Sequence, residues 1–163
     1  GGGHQEFGLR GGTENVAGIV GFGKACELCD YDKTYSHIKD IKQTFYSRLT
    51  SSLDKLGCKE IVHLNAIPLQ LTQSKVLSLR FDNVDAETLV LLLSTKGVYV
   101  SAGSACRSLE QEPSHVLTAI GLTPEKARNT IRFSFSKYNS IGEVEYAAEL
   151  VAKSVFSLYR LAM

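Results

Sequence analysis

The chain has 163 residues, 44% of them apolar and 21% charged, and a formal net charge of +1. This composition is typical of a globular domain, and the near-neutral charge gives no indication of a nucleic-acid or anionic-membrane partner. No apolar run reaches the roughly 18 residues of a spanning helix. Four cysteines are too few for a disulfide scaffold, so a reducing cytoplasm is the expected location. The chain starts Gly-Gly-Gly without a Met, which we interpret as the start of a piece of a longer protein.

The first third of the sequence predicts a glycine-rich segment and then two helices. Residues 1–12 contain too much glycine for extended regular structure. The pattern becomes helical from Thr13 to about Leu28, with Thr13 as the N-cap. Ser36 is the predicted cap of a longer helix, which Gly57 ends. The apolar stripe of that helix consists of Ile38, Ile41, Phe45, Leu49, Leu53 and Leu56.

The rest of the chain alternates strand and helix patterns. The predicted strands are residues 60–65, 75–81, 98–101 and 131–135. Residues 85–97 predict a short apolar helix, and Pro113 and Pro124 each suit the first turn of another. Ser140 and Glu143 form a capping-box pattern ahead of the closing helix. This order predicts an α/β domain with a small sheet of about four strands covered by helices.

Two cysteines form a C-x-x-C pattern at the end of the first predicted helix. Cys26 and Cys29 would need two more ligands at matching spacing to hold zinc, and Cys58, His63 and Cys106 are scattered and do not form a second pair. A thioredoxin-like redox pair belongs at a strand-to-helix junction, which this helical context is not. We therefore interpret Cys26 and Cys29 as two half-buried helix cysteines and predict no metal site.

The glycine-rich opening precedes a helix, and a helix N-terminus can hold a phosphate through its backbone N–H groups. The Thr13 hydroxyl would add a donor there. The stretch GGGHQEFGLRGGTEN does not fit the Walker pattern, because no Lys-Ser/Thr follows its last glycine. It does not fit the dinucleotide pattern either, because no strand precedes it. The residues alone leave anion binding by this loop open.

Arg132 lies between Ile131 and Phe133 on the last predicted strand, so its side chain points away from the core. It is either a solvated strand residue or a clamp for a carboxylate, which the forked donors of arginine suit. Spacing alone favours the solvated interpretation.

Cys106 lies among small and polar residues in the stretch SAGSACRSLEQEPSH. A reactive thiolate needs nearby positive charge and access, which Arg107 and Gly103 would supply. His115 is nine residues further along, so a protease-type Cys–His pair is open but unsupported. The residues alone leave open whether Cys106 is a reactive thiol or an inert one.

Two long stretches, GGGHQEFGLRGGTENVAGIVGFGKA and VSAGSACRSLEQEPSHVL with ARNTIRFSFSKYNS after it, together resemble the C-terminal part of a cysteine desulfurase. These enzymes are pyridoxal 5'-phosphate (PLP)-dependent members of the class V aminotransferase family. The resemblance implies a small, mostly antiparallel sheet covered by helices, as in the small domain of a fold-type I transferase. It also implies that residues 1–30 are the tail of the large PLP-binding domain and that residues 31–163 are the small domain.

The resemblance implies a role for three residues. Cys106 corresponds to the cysteine that takes sulfur from L-cysteine as a persulfide, leaving L-alanine. Thr13 corresponds to a threonine that contacts the PLP phosphate of the neighbouring subunit of a homodimer, and Arg132 to the arginine that binds the substrate carboxylate. The long stretch around Cys106 resembles the branch whose members deliver sulfur to iron–sulfur scaffold proteins. The serine-His-Lys stretch that carries the PLP lysine is absent, so the expected fragment is inactive alone.

Two alternatives stay open. The first is a selenocysteine lyase of the same family, which shares this layout. The second is a non-catalytic module that carries a persulfide or docks on a scaffold protein, which would hold if the gene encoded only these residues.

Overall fold

The computed structural model describes residues 3–65, 75–102 and 114–163. It divides the chain into two compact units, one ending at Lys33 and the other beginning at Thr34. The family resemblance implied a domain boundary between residues 30 and 31, and that assignment stays a prediction.

The first unit contains a 3₁₀ turn at Glu6–Gly8 and helix α1 at Val16–Glu27. The prediction that Thr13 caps this helix is wrong. The N-cap is Asn15, whose side-chain oxygen accepts the backbone N–H of Gly18 at 3.0 Å. Threonine and asparagine both serve as N-caps, so the short segment between them offered two starting points.

Helix α2 spans Tyr31–Lys55, so the prediction that Ser36 begins it is also wrong. Asp30 provides an earlier cap, because its Oδ1 accepts the backbone N–H of Lys33 at 3.0 Å. The predicted end is confirmed. Gly57 follows the last turn with φ +71°, a left-handed conformation that glycine adopts without steric cost.

Within the described residues, the second unit contains a four-stranded antiparallel sheet. The strand patterns predicted about four strands, and the family resemblance implied a mostly antiparallel sheet. Its strands are β1 (Val62–Leu64), β2 (Val76–Phe81), β3 (Ser101–Ala102) and β4 (Thr130–Ser134), in the spatial order β1-β2-β4-β3. All three pairings are antiparallel.

Two of the predicted strands are shorter than the sequence indicated. Residues 59–61 form a 3₁₀ turn before β1. Val98 donates its N–H to the carbonyl of Leu93 at 3.0 Å and so still belongs to a helix end. The apolar alternation of residues 98–101 therefore contributes only its last residue to β3.

The remaining helices are α3 (Ala86–Ser94), α4 (His115–Ala119), α5 (Pro124–Arg128) and α6 (Ile141–Leu161). The predicted capping box of α6 is confirmed. Ser140 Oγ accepts the N–H of Glu143 at 3.3 Å, and Glu143 Oε2 accepts the N–H of Ser140 at 2.8 Å. Asp85 and Thr123 cap α3 and α5 through their side-chain oxygens.

One face of the sheet carries the core of the second unit. Its side chains pack with the apolar stripes of α2, α3 and α6, and the centroid of the Phe45 ring lies 4.9 Å from that of Phe133. The central members are fully buried; they are Ile41, Leu49, Leu53, Leu79, Phe81, Leu89, Leu93, Ile131, Ala148, Val151 and Val155. The opposite face of the sheet is polar. None of the helices in the described ranges is long and apolar enough to cross a bilayer.

Candidate functional site

The candidate site is the open face of the sheet, opposite the core. Antiparallel register places Ser101, Arg132 and Ser78 side by side on β3, β4 and β2. In the next row of the same face, Arg80 of β2 pairs with His63 of β1 on one side and with Thr130 of β4 on the other. The side chains of one face alternate with those of the core, which is why every second residue here is polar.

Arg132 occupies an inner strand of this face. Its side chain is exposed, while its neighbours Ile131 and Phe133 are buried, so the predicted orientation is confirmed. Within the described part of the chain, the Arg132 side chain forms no hydrogen bond or ion pair. An exposed guanidinium with five free donors and rigid strand support is suited to bind one planar anion through two parallel hydrogen bonds.

A small hydrogen-bond network orders the polar surface beside Arg132. Asn65 follows β1, and its Nδ2 donates to Ser78 Oγ at 3.3 Å and to Thr130 Oγ1 at 3.1 Å. Thr130 Oγ1 in turn donates to the carbonyl of Lys126 at 3.0 Å. The network joins β2 and β4 to the end of β1 on the open face, beside Arg132.

A second network surrounds Asp82, at the end of β2. One of its carboxylate oxygens accepts the Nε–H of Arg80 at 2.8 Å, and the other lies 2.7 Å from Nε2 of His63. Partial desolvation acts to raise the pKa of Asp82, but the hydrogen bonds and positive charge of His63 and Arg80 outweigh it. The pKa of Asp82 is therefore held below its usual range.

The backbone also fixes Asp82. Its N–H donates to the carbonyl of Ile61 at 2.9 Å, and the N–H of Val84 donates to the carbonyl of Phe81 at 3.2 Å. Asn83 closes this turn with φ +60°, a conformation that asparagine tolerates better than most residues. The carboxylate is therefore aimed at the open face by a short, hydrogen-bonded turn.

Of the other predicted site residues, Thr13 belongs to the first unit and Cys106 lies outside the described residues. Thr13 is exposed and lies ahead of α1. Arg107 and Pro113 lie outside the described residues as well. Cys26 and Cys29 are both exposed, so the expectation that they are half-buried is wrong, since α1 buries none of its residues. Within the described ranges no three His, Cys, Asp or Glu side chains come together as a metal site.

Sequence reasoning missed most of the polar side chains on this face. His63 was considered only as a metal ligand, and Asn65, Arg80 and Asp82 were not singled out. The signal for Arg80 was present, because Ser78 and Arg80 alternate with the buried Leu77 and Leu79. The cross-strand neighbours of Arg80 depend on the register of the sheet. Register pairs residues that are far apart in the chain, so a local pattern does not predict it.

Comparison with known proteins shows which family this chain resembles. The chain is 40% identical over 161 residues to a cysteine desulfurase IscS of Methanosarcina thermophila, covering 99% of the chain and 38% of the relative. A solved NifS-like protein matches with a TM-score of 0.70 and 35% identity over 93% of the chain and 36% of its own length. Another solved structure, SspA in complex with cysteine, matches with a TM-score of 0.51 and 29% identity over 85% of the chain and 35% of its own length.

The chain thus spans a little over a third of the length of these relatives. The model of the class V aminotransferase family matches residues 4–147, which is most of the chain. The chain therefore belongs to the class V aminotransferase family.

Proposed function

We propose that this chain is the C-terminal portion of a cysteine desulfurase, which converts L-cysteine to L-alanine and retains the sulfur as a persulfide on Cys106. The observation that carries the proposal is Arg132, whose exposed guanidinium lies in the middle of a polar sheet face and has no hydrogen-bond or ion-pair partner among the described residues. Relatives and a solved neighbour that are named as cysteine desulfurases or contain cysteine support this substrate.

Arg132 binds the carboxylate of the amino acid. Its planar guanidinium donates to both carboxylate oxygens at once, and the inner strand β4 fixes the position of its Cα atom. Ser78 and Ser101 flank it in register and offer hydroxyl donors to the same group. A carboxylate fixed in this way orients the substrate's side-chain sulfur for attack, which is the role of a positioning clamp.

Cys106 acts as the sulfur acceptor. Its thiolate attacks the substrate sulfur, the carbon–sulfur bond breaks, and the carbon takes up a proton to leave as alanine. The sulfur stays on Cys106 as a persulfide, so that one cysteine and one thiol give one alanine and one persulfide. A thiolate nucleophile that forms a covalent intermediate is the general strategy of such enzymes.

The complete protein would use PLP, and the residues of this chain fit part of a site for it. Thr13 has an exposed hydroxyl suited to a phosphate oxygen, and Arg132 is free for the substrate. When bound, PLP supplies an electron sink that weakens bonds at the α and β carbons of the amino acid. Lys96 donates to Ser154 Oγ at 3.0 Å, and Lys42 is buried. These two lysines are therefore engaged within the fold. Since no lysine of the sequence stands in a serine-His-Lys stretch, we propose that the PLP lysine lies outside this chain.

The proposal extends to location and partners. The complete protein is a cytoplasmic homodimer in which Thr13 reaches the cofactor of the neighbouring subunit. The persulfide sulfur passes to an acceptor protein, of which an iron–sulfur scaffold is the expected class. Neither nucleic acid nor a membrane is an expected partner.

The test uses the complete protein and follows two products, alanine and the persulfide on Cys106, the second by peptide mass analysis. Arg132→Lys keeps the charge but loses the fork, so kcat/KM for L-cysteine should fall by about 10²-fold or more. Arg128→Lys is the matched control, because Arg128 is an exposed arginine on α5, and it should leave the rate unchanged. Cys106→Ser should abolish the persulfide.

The outcomes separate the alternatives. Equal rates for wild type and Arg132→Lys would contradict the carboxylate clamp. Turnover of selenocysteine with no turnover of cysteine would indicate a selenocysteine lyase. A persulfide that Cys106 receives from another protein, with no alanine formed, would indicate a non-catalytic carrier.

A further inference from the structure

We propose that Asp82 determines which amino acids the open face accepts, by neutralising Arg80 and so leaving Arg132, of the two arginines that the described residues place on this face, as the one that binds a carboxylate. The site would then take amino acids with one carboxylate and reject dicarboxylates such as aspartate. This inference rests on the proposed function, because it assumes that Arg132 binds the substrate carboxylate.

The register brings two arginines onto the same face. Arg132 lies opposite Ser78, and Arg80 is two residues along β2 from Ser78. Such diagonal neighbours on adjacent strands lie about 7–8 Å apart, within reach of long side chains. Without Asp82, this face would present two guanidiniums at a spacing suited to the two carboxylates of a small dicarboxylate.

Asp82 removes one of the two cations from the recognition surface. Its Oδ1 accepts the Nε–H of Arg80 at 2.8 Å, and the Arg80 side chain is only 13% exposed. By contrast, the Asp82 side chain is 42% exposed. A ligand on Arg132 that extends a second carboxylate along β2 therefore finds Arg80 already paired, and the accessible charge of Asp82 lies beyond it at the end of the strand.

His63 supports this arrangement from the other side. Its Nε2 lies 2.7 Å from Oδ2 of Asp82, opposite the oxygen that Arg80 uses. Both carboxylate oxygens are thus engaged, and the carboxylate cannot rotate without losing a hydrogen bond. The turn that fixes the backbone of Asp82 adds to this restraint.

A purely structural role for Asp82, as a link between β1 and β2, predicts something different. It predicts that loss of the carboxylate lowers stability and weakens all ligands alike. The specificity role predicts a change in the ratio of two affinities, which a loss of stability does not produce.

The experiment measures that ratio on the 163-residue chain. L-Alanine and L-aspartate are titrated separately while the Nε–Hε resonance of Arg132 is followed by NMR; Arg132→Lys identifies the resonance. In Asp82→Asn, Arg80 loses its counter-charge, and affinity for aspartate relative to alanine should rise about five-fold, the effect of about one exposed charge pair. In Arg80→Gln with Asp82→Asn, the ratio should return to that of the wild type.

Arg80→Gln alone is the safeguard if Asp82→Asn does not fold. It leaves Asp82 without a compensating charge, so the ratio should shift the other way, against aspartate. If neither ligand moves the Arg132 resonance in the wild type, the proposed carboxylate clamp fails and this inference falls with it. If both ligands bind but the ratio is the same in wild type, Asp82→Asn and Arg80→Gln, the clamp stands and the specificity role of Asp82 is overturned. A shifted ratio that persists in the double variant would overturn the part assigned to Arg80.

Discussion

The two units of the chain differ in what holds them together. The unit from Thr34 onward has a core built from three helices and one sheet face. Between residues 3 and 33, by contrast, no residue is buried, and the apolar side chains of α1 are exposed, Val16 by 64% and Phe22 by 74%. Since burial of apolar surface is the main force that stabilises a fold, only the second unit contains its own source of stability.

The contrast shows that helix-forming sequence and fold-stabilising sequence are separate properties. Helix α1 has a cap and a helical pattern but contributes no buried side chain. Its exposed apolar side chains, such as Val16 and Phe22, are typical of a helix face that packs against another part of a protein.

Thiol reactivity should show the largest difference between the units. Cys58 is 1% exposed, and burial, with the nearby charge of Glu60, raises its pKa. Cys26 and Cys29 are exposed. In a Cys106→Ser background, Cys58 should react with iodoacetamide at least about 100-fold more slowly than Cys26, since it needs an opening that costs about 3 kcal/mol. Peptide mass mapping follows each site. If Cys58 and Cys26 were modified at equal rates in native buffer, the second unit would lack a stable core. As a control, the two cysteines should be modified at equal rates in urea, where the chain is unfolded.

Truncation of an apolar side chain should lower the free energy of unfolding far more in the second unit than in the first. Leu79 is fully buried on β2, and Leu79→Ala should lower the free energy of unfolding by about 2–5 kcal/mol. Ile19 on α1 is 55% exposed, and Ile19→Ala should change it by less than about 0.5 kcal/mol. Urea unfolding followed by circular dichroism measures both. A loss of more than about 1 kcal/mol for Ile19→Ala would mean that α1 takes part in the cooperative unit.

Helix caps offer a smaller test of the same point. Ser140→Ala removes the capping box of α6, a helix that buries Val144 and Val151, and should cost about 1 kcal/mol. Asn15→Ala removes the cap of α1 but should leave the free energy of unfolding of the second unit unchanged. Asn15→Ala should only reduce the helical circular dichroism signal at urea concentrations below the unfolding transition of the second unit. If both variants lowered the free energy of unfolding of the second unit equally, the cap of α1 would contribute to the stability of that unit, contrary to this prediction.

Much of the second unit could be predicted from sequence because its signals are local. The α6 capping box lies within four residues, and the Leu77–Phe81 alternation lies within five. The start of α2 was wrong because Asp30 and Ser36 both offer caps and only the structure shows which is used. The predicted strand at residues 98–101 began too early for a related reason, because Val98 completes the end of α3 and does not pair in the sheet.

The candidate site was predictable only in part, because its partners are distant in sequence. The strand period alone gave the outward direction of Arg132. The link from Asn65 to Thr130 and the pairing of His63 with Asp82 join residues 65 and 19 positions apart. No short-range sequence pattern contains such contacts. Register, which the whole fold sets, brings them together.

The smallest expected effect concerns the pH dependence that Asp82 gives to the second unit. The pKa of Asp82 is lower in the folded chain than in the unfolded one, so the unfolded chain binds the proton more readily. The resulting stabilisation is present above the unfolded-state value, near 4 for an ordinary aspartate, and is lost as pH falls through the lower folded-state value. Asp82→Asn should therefore be less stable than the wild type at about pH 7, and the difference should shrink between about pH 5 and pH 2.

Because the Asp82 side chain is 42% exposed, solvent and salt screen its interactions, and the difference should be modest and smaller at high ionic strength. Urea unfolding across this pH range measures it. Asp54→Asn is the matched control, since Asp54 is 65% exposed and its ion-pair partner Lys59 lies 3.9 Å away. It should change the stability less at every pH. If the difference between wild type and Asp82→Asn were constant down to about pH 2, the stabilisation would come from packing of the turn and not from the charge of Asp82. Asp82 would then not hold Arg80 through its charge.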